Sequence, residues 1–389
     1  MGKTRYLEQS ILDDLGEKMV FVGGPRQVGK TTLGDNLSKR FKSAYYSWDK
    51  RTDRIKALRG EWPSDVELLV LDEFHKQGKW KSWIKGEYDT NKTRYKILFT
   101  GSARLDAYRR GGDSLMGRYH YYRLHPFSES ELLSSRQQAA PGRELQFTGS
   151  KEAQDHFERL FKFGGFPEPL FKGREAALRR WHNERTERLF KEDVRDLTRI
   201  MDIGNMSLLA DLLPERVGSI LSVNSLSQDV QVNFRTAENW LQALEQFYYC
   251  FRVPPYSSKK ILSVRKEKKL YLWDWSQVAS DANKLENIVA SHLLKYCHGL
   301  YDVHGWKAEL FFLRDHSGRE VDFLVALDGK PWFCVEVKLN DKAVSGNIHF
   351  YREKLGIPFC YQVVAAANHD TTTGGVRCLS VAKFLTAFV

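Results

Sequence analysis

The run GPRQVGKT at residues 24–31 constrains this chain more than any other stretch. It satisfies the pattern GxxxxGK[ST] in full, between an apolar run, MVFVGG (19–24), and a helical stretch, TLGDNLSKRF. A buried strand, a glycine-rich turn and a helix, in that order, form the setting in which such a loop wraps phosphates. Glycine lets the backbone turn tightly enough for successive N–H groups to converge on an anion, and the helix N-terminus adds its partial positive charge. Gly24, Pro25, Arg26, Gln27, Val28, Gly29, Lys30, Thr31 and Thr32 are therefore expected to line the phosphates of ATP. Lys30 is expected to neutralise the β and γ phosphates, and Thr31 to ligate Mg2+ through its hydroxyl.

A second buried run, LLVLDE (68–73), ends in two carboxylates. Asp72 is expected to hold the Mg2+ shell and Glu73 to polarise the attacking water. Taken alone, two acids at a strand end are a polar strand end; beside an intact phosphate loop they are the other half of an ATP- and Mg2+-dependent site. Two more strand-like runs, YKILFTGS (95–102) and RYHYYRLHPF (118–127), complete the first segment. Continuous apolar strands separated by helical stretches predict an α/β domain with a parallel sheet covered on both faces.

Beyond residue 128 the chain turns polar, then helical over about 151–222, broken by FGGFPEPLF (163–171), which reads as a tight turn. The arginines of this stretch, Arg179, Arg180, Arg185, Arg188, Arg195 and Arg199, mix with acids and read mostly as a solvated face. From 206 to 256 three short helices are expected: one carrying Leu208, Leu209, Leu212 and Leu213, one over 225–230 capped by Ser225, and FRTAENWLQALEQF capped by Asn233. YYCFRVPPY and KKLYLWD follow as strands. Between them lies a basic run with Lys259, Lys260, Arg265, Lys266, Lys268 and Lys269 against a single Glu267. The last part is α/β again: a helix (284–296), strands near 308–313, 319–327 and 331–339, a helix (345–355) and a strand (358–365).

In that last part Glu320 and Asp322 lie two apart on a strand and share one face. Asp328-Gly329 offers a tight hairpin turn, after which Glu336 and Lys338 share a face. The hairpin is expected to bring Asp322 and Glu336 together with Lys338 beside them. Convergent carboxylates repel unless a divalent cation neutralises them, so a Mg2+ site is one reading and an amphipathic hairpin with a solvated polar face is the other.

GPRQVGKTTL, LDEFHK, FTGSARL, SLMGRYHYYRLHPFSESEL, FGGFPEP and REVDFLVALDGKPWFCVEVK, in this order over about 20–340, resemble a prokaryotic family. Its members join an N-terminal AAA+ P-loop ATPase domain to a winged-helix segment and a C-terminal domain like the PD-(D/E)XK nucleases. FTGSARL departs from it mildly, since members often carry a run of serines after the Gly-Ser. The resemblance implies an AAA+ ATPase domain at 1–135, a helical linker at 136–205, a winged-helix domain at 206–278 and a restriction-endonuclease-like α/β domain at 279–389. It implies that Ser102 or Thr100 senses the γ-phosphate. It makes Arg118, with Arg109 and Arg110 as rivals, an arginine finger reaching into a neighbouring subunit, hence a homo-oligomer, with a hexameric ring as one form. It also implies that Glu286 joins Asp322 and Glu336 as metal ligands, with Lys338 orienting a water. In the winged-helix segment, Arg235, Thr236, Asn239 and Gln242 are expected to face DNA, Ala237, Trp240, Leu241 and Leu244 to face the core, and the basic run to meet phosphates.

Composition fits these expectations. The formal charge of +11 favours an anionic partner, and DNA, of unspecified form, is the expected one. Five scattered cysteines without a CxxC pair read as reduced core thiols. No apolar run reaches the roughly 18–20 residues a bilayer span needs, and the N-terminus lacks a secretory core, so a cytoplasmic protein without a membrane partner is expected. The function that follows is a DNA-acting ATPase. The alternatives are a nucleotide-dependent switch acting on a protein partner, or an ATP-licensed DNA endonuclease.

Overall fold

Apolar runs with no polar alternation become the inner strands of a parallel sheet, because both faces must be covered. The structure, a computed structural model, describes residues 3–101, 115–134, 140–194, 200, 202–257, 267–340 and 343–389. The chain divides into two compact units, Met1–His125 and Pro126–Val389.

The first unit runs α1 (Glu8–Asp14), β1 (Met19–Gly23), α2 (Lys30–Ser38), β2 (Ser43–Ser47), α3 (Arg51–Leu58), β3 (Leu68–Asp72), α4 (Trp80–Asn91), β4 (Lys96–Thr100) and β5 (Tyr119–Arg123). The strands form one parallel sheet in the order β2-β3-β4-β1-β5. Every residue of β1 and β3 is buried. Phe21, Trp80, Phe99 and Tyr119 stack on one face, with ring centroids 4.6 to 6.0 Å apart where they meet Phe21. Strand β2 was not expected. It is an edge strand, half-buried and rich in serine and tyrosine, so it carries no apolar run to announce it. The parallel register sets Asp72 beside Thr100 and Thr100 beside Val22, so the carboxyl ends of β3, β4 and β1 form one edge.

The second unit begins with α5 (Glu129–Leu133), opened by a capping box between Ser128 and Glu131. Helices α6 (Lys151–Phe163), α7 (Pro167–Lys172) and α8 (Glu175–Arg188) follow, with a π-helical turn at Leu189–Val194. Gly164, at φ 74°, ends α6, and Pro167 opens α7, so FGGFPEPLF is a turn between helices. Arg185 departs from the expected solvated face: its side chain is only 11% exposed, with its guanidinium 4.4 Å from the Phe166 ring centroid.

Next come α9 (Ile203–Leu212), α10 (Val223–Asp229), α11 (Phe234–Gln246) and a two-stranded antiparallel sheet of β6 (Cys250–Val253) and β7 (Lys269–Leu272). Asn233 caps α11, accepting from Thr236 N. The cap of α10 is Ser222, which accepts from Ser225 N; the expectation of Ser225 began this helix too late. Ala237, Trp240, Leu241 and Leu244 are buried, Arg235, Asn239 and Gln242 are exposed, and Thr236 is half-buried.

The unit closes with α12 (Asp281–His304), β8 (Ala308–Arg314), β9 (Glu320–Leu327), β10 (Lys330–Lys338), α13 (Gly346–Leu355), β11 (Phe359–Val364), β12 (Asp370–Thr373), β13 (Val376–Ser380) and α14 (Val381–Leu385). The six strands form a mixed sheet in the order β12-β13-β11-β10-β9-β8. Asp328 and Gly329, at φ 50° and 81°, make the two-residue turn between β9 and β10, with Leu327 paired to Lys330. All five cysteines are free and buried, and among the described residues no helix is long and apolar enough to cross a membrane.

The architecture is thus α/β throughout: an N-terminal parallel sheet, a helical region and a C-terminal mixed sheet.

Candidate functional site

Strand β1 delivers the phosphate loop. Gly24 takes φ 149°, and a Cβ there would stand 2.4 Å from the Leu124 carbonyl oxygen, so only glycine fits. Gln27 (φ 61°) and Gly29 (φ 100°) turn the chain back into α2. The buried Lys30 donates from Nζ to the Gly24 and Pro25 carbonyls at 2.9 and 2.8 Å, folded over the loop it serves. Val28 is buried, Arg26 and Gln27 are half-buried, and Thr31 and Thr32 are exposed at the first turn of α2. Arg5, unnoticed in the sequence, braces the loop from outside. Its buried guanidinium donates to the Val28 carbonyl at 2.9 Å and to that of His125.

Strand β3 delivers the carboxylates. Asp72 accepts from Thr31 Oγ1 at 3.3 Å, Tyr45 OH at 2.6 Å and Thr100 Oγ1 at 2.5 Å. These hydroxyls and the carboxylate form an oxygen-rich set at the mouth of the loop, the donor chemistry that suits Mg2+. Thr31 and Asp72 would hold the cation there, and Lys30 would meet the phosphates. Burial, with the Asp72 carboxylate adding to it, pushes the Tyr45 phenol far above its usual range, so it stays a hydrogen-bond donor. Tyr45 comes from the unannounced strand β2, which is why sequence patterning missed it.

Glu73 sits just past the strand in a left-handed conformation, φ 60°, its N–H bonded to the Thr100 carbonyl at 2.9 Å. Its Oε2 lies 3.5 Å from His75 Nε2 and 3.8 Å from Lys76 Nζ, and Lys76 also reaches Asp49 at 2.7 Å. His75 is thus a buried neighbour of the expected water-polarising acid.

Ser102, Arg109 and Arg110 lie outside the described residues. Thr100 turns its hydroxyl to Asp72. Arg118 forms a two-pronged ion pair with Asp89 of its own chain, Nε to Oδ1 at 2.8 Å and Nη2 to Oδ2 at 3.0 Å.

A second polar centre lies in the C-terminal mixed sheet. Val335 pairs with Phe323 on the antiparallel strands β10 and β9; Glu336 follows the one and Asp322 precedes the other, so the two acids stand at neighbouring positions on adjacent strands. Glu286 comes from α12 and Glu320 from β9. Lys338 Nζ lies 2.6 Å from Glu336 Oε1. Asp322 Oδ2 accepts the Val337 N–H at 2.9 Å. Burial first, then the Asp322 carboxylate, pushes Glu286 up to about 8 and Glu336 up to about 7.

Glu286, Asp322 and Glu336, expected as metal ligands, come to this centre together with a lysine. The cation among these acids is Lys269, whose Nζ lies 2.7 Å from Glu320 Oε1 and 3.1 Å from both Glu286 Oε1 and Asp322 Oδ1. Among the described residues, no group of three or more His, Cys, Asp or Glu is placed to hold a metal ion. Lys269 itself was expected on a phosphate-facing run; it is buried at 1% exposure. Burial pulls its ammonium down, but Asp322, Glu286 and Glu320 together outweigh that and hold it well above the ordinary lysine range. Lys268 is half-buried, and Lys259, Lys260, Arg265 and Lys266 lie outside the described residues.

Comparison with known proteins bears on both regions. Residues 16–133 match the family described as an AAA domain. Residues 154–284 match a domain of unknown function, DUF8612, and residues 283–384 another, DUF4143. An AAA domain followed by DUF4143 fits an AAA ATPase family. No curated protein matches the chain. Among solved structures, the Aeropyrum pernix ORC1 protein in complex with DNA is similar at 10% identity and a TM-score of 0.35, over 74% of this chain and 94% of that one. The Pyrococcus furiosus Hef helicase domain is similar at 13% identity and a TM-score of 0.22, over 75% of this chain and 73% of that one.

Proposed function

We propose that this chain is a DNA-acting ATPase that binds and hydrolyses ATP with Mg2+. The observation that carries the nucleotide half is the meeting of Thr31 with Asp72 across the mouth of a glycine-built phosphate loop. Lys30 would exchange its two loop carbonyls for phosphate oxygens, a trade of neutral acceptors for charged ones. Bound Mg2+ supplies charge neutralisation at the β and γ phosphates. Glu73 would accept the proton of the attacking water once clear of His75 and Lys76. Arg118, released from Asp89, would act as the finger toward a neighbouring subunit of a homo-oligomer.

The DNA half rests on the surface of 206–278, read as a winged helix. Helix α11 buries its apolar stripe and leaves Arg235, Asn239 and Gln242 in solvent, residue types that hydrogen-bond base edges and phosphates. The chain's excess of positive charge favours the same partner. The C-terminal domain, 279–389, is read as a nuclease-like fold that adds to DNA contact.

The test is ATP hydrolysis by the full chain with Mg2+ at low salt, alone and with single-stranded, duplex and branched DNA. Stimulation by one form, weakened by Arg235→Ala with Asn239→Ala, supports the reading and names the substrate geometry. Turnover indifferent to every DNA form replaces it with a nucleotide switch acting on a protein partner.

A further inference from the structure

The acids of the C-terminal centre already have their cation. We propose that Lys269 is the built-in counter-ion of this centre, so that the C-terminal domain works without loading a divalent metal.

Three of the oxygens are committed to the ammonium. Lys269 Nζ stands 3.1 Å from Glu286 Oε1 and from Asp322 Oδ1, and 2.7 Å from Glu320 Oε1. A Mg2+ bound by those oxygens at about 2.0–2.1 Å has no room beside an ammonium so placed, and the two cations repel. Other oxygens are engaged as well, while Glu336 Oε2 is buried with no hydrogen-bond partner among the described residues. Asp322 Oδ2 takes the Val337 N–H, Glu286 Oε1 also takes Tyr271 OH at 2.6 Å, and Glu286 Oε2 faces Gly218, where a Cβ would stand 3.0 Å away. Glu336 Oε1 is held by Lys338 at 2.6 Å.

The lysine is anchored as firmly as its partners. Its backbone pairs with Val253 on β6 and bridges to Ile220 on the other side. Leu221 N donates to the Lys268 carbonyl at 2.9 Å, and Leu270 N to that of Ser219 at 3.2 Å. A side chain that enters from a strand held on both edges is part of the fold, unlike a surface lysine that swings in. An ammonium among three carboxylates also satisfies the rule that buried charges are paired, which the acids alone would break.

Mn2+ binding to the full chain, measured by electron paramagnetic resonance without nucleotide, tests this. The wild type is expected to show no Mn2+ site that Asp322→Asn removes. Lys269→Met, which keeps the chain length and drops the charge, is expected to gain one, raising Mn2+ affinity by about tenfold or more. Adding Asp322→Asn to that variant should abolish the gain. Should Lys269→Met unfold, refolding on addition of Mn2+ supports the proposal just as well. If Mn2+ does not rescue it, the wild-type comparison decides. A wild-type Mn2+ site lost in Asp322→Asn, or a folded Lys269→Met with no gain, overturns the proposal.

Discussion

Tyr45 and Asp72 are joined by a hydrogen bond of 2.6 Å, and the carboxylate oxygen that accepts it is the one Thr31 reaches at 3.3 Å. A phenol therefore occupies part of the coordination space of the acid expected to serve Mg2+. Tyr45→Phe is expected to lower stability without ligand by about 1.5–3 kcal/mol, the range for a hydrogen bond to a charged group. With Mg2+ and ATP bound, the cation takes over the neutralising role and the difference should shrink. Thermal unfolding of both proteins, with and without Mg2+ and ATP, checks this; an equal gap in both conditions would count against it.

Lys30 and Glu73 should fail in different ways. Lys30→Ala removes the phosphate contact, so both ATP binding and turnover should fall. Glu73→Gln keeps the shape and loses the proton acceptor, so binding should persist while hydrolysis drops by about 10²–10⁴-fold. A fluorescent ATP analogue for binding and phosphate release for turnover separate the two. Unchanged turnover in Lys30→Ala would remove the nucleotide site from this loop.

The Arg118–Asp89 pair would give the proposed finger a resting place on its own chain. Asp89→Ala should free Arg118 and raise turnover in concentrated samples, where subunits meet. Arg118→Ala and Lys30→Ala should each be inactive alone. Mixed together they should recover part of the activity, since one supplies the loop and the other the arginine. Failure of the mixture to recover would mean that Arg118 stays on its own chain.

Glu129 is fully buried, neither of its oxygens has a hydrogen-bond partner among the described residues, and burial first, then Glu152, pushes it up to about 9. Its folded value lies above the unfolded value of 4.5, so the folded state holds the extra proton. The stability this contributes is complete below about pH 4.5 and is lost as pH rises toward 9. Glu129→Gln should flatten that part of the stability curve and stabilise the protein at pH 9 relative to wild type. Urea unfolding at pH 5, 7 and 9 reads the slope; parallel curves for the two proteins would remove Glu129 from the account.

The nucleotide loop was legible because its information is local. An apolar strand, a glycine turn and a lysine-threonine pair stand within thirteen consecutive residues, 19–31, and β3 announces itself by burying every residue before Asp72. Tyr45 was not legible, because the half-exposed edge strand that carries it has no apolar run. Lys269 was misread for a different reason. At the end of a lysine-rich stretch it looks like surface charge, and the acids that bury it lie 17 and 53 positions away, a pairing that only tertiary structure makes. The hairpin turn at Asp328-Gly329 was readable from its dipeptide, while the approach of Lys269 to the acids it gathers was not.

Arg252, on β6, grips Glu238 and Glu245 of α11 with four hydrogen bonds of 2.8 to 3.0 Å. Strand β6 is paired residue for residue with β7, and β7 carries Lys269. Helix, clamp, ribbon and ammonium are therefore bonded in series. The exposed face of α11 and the acids around Lys269 thus lie at the two ends of one chain of side-chain and strand hydrogen bonds.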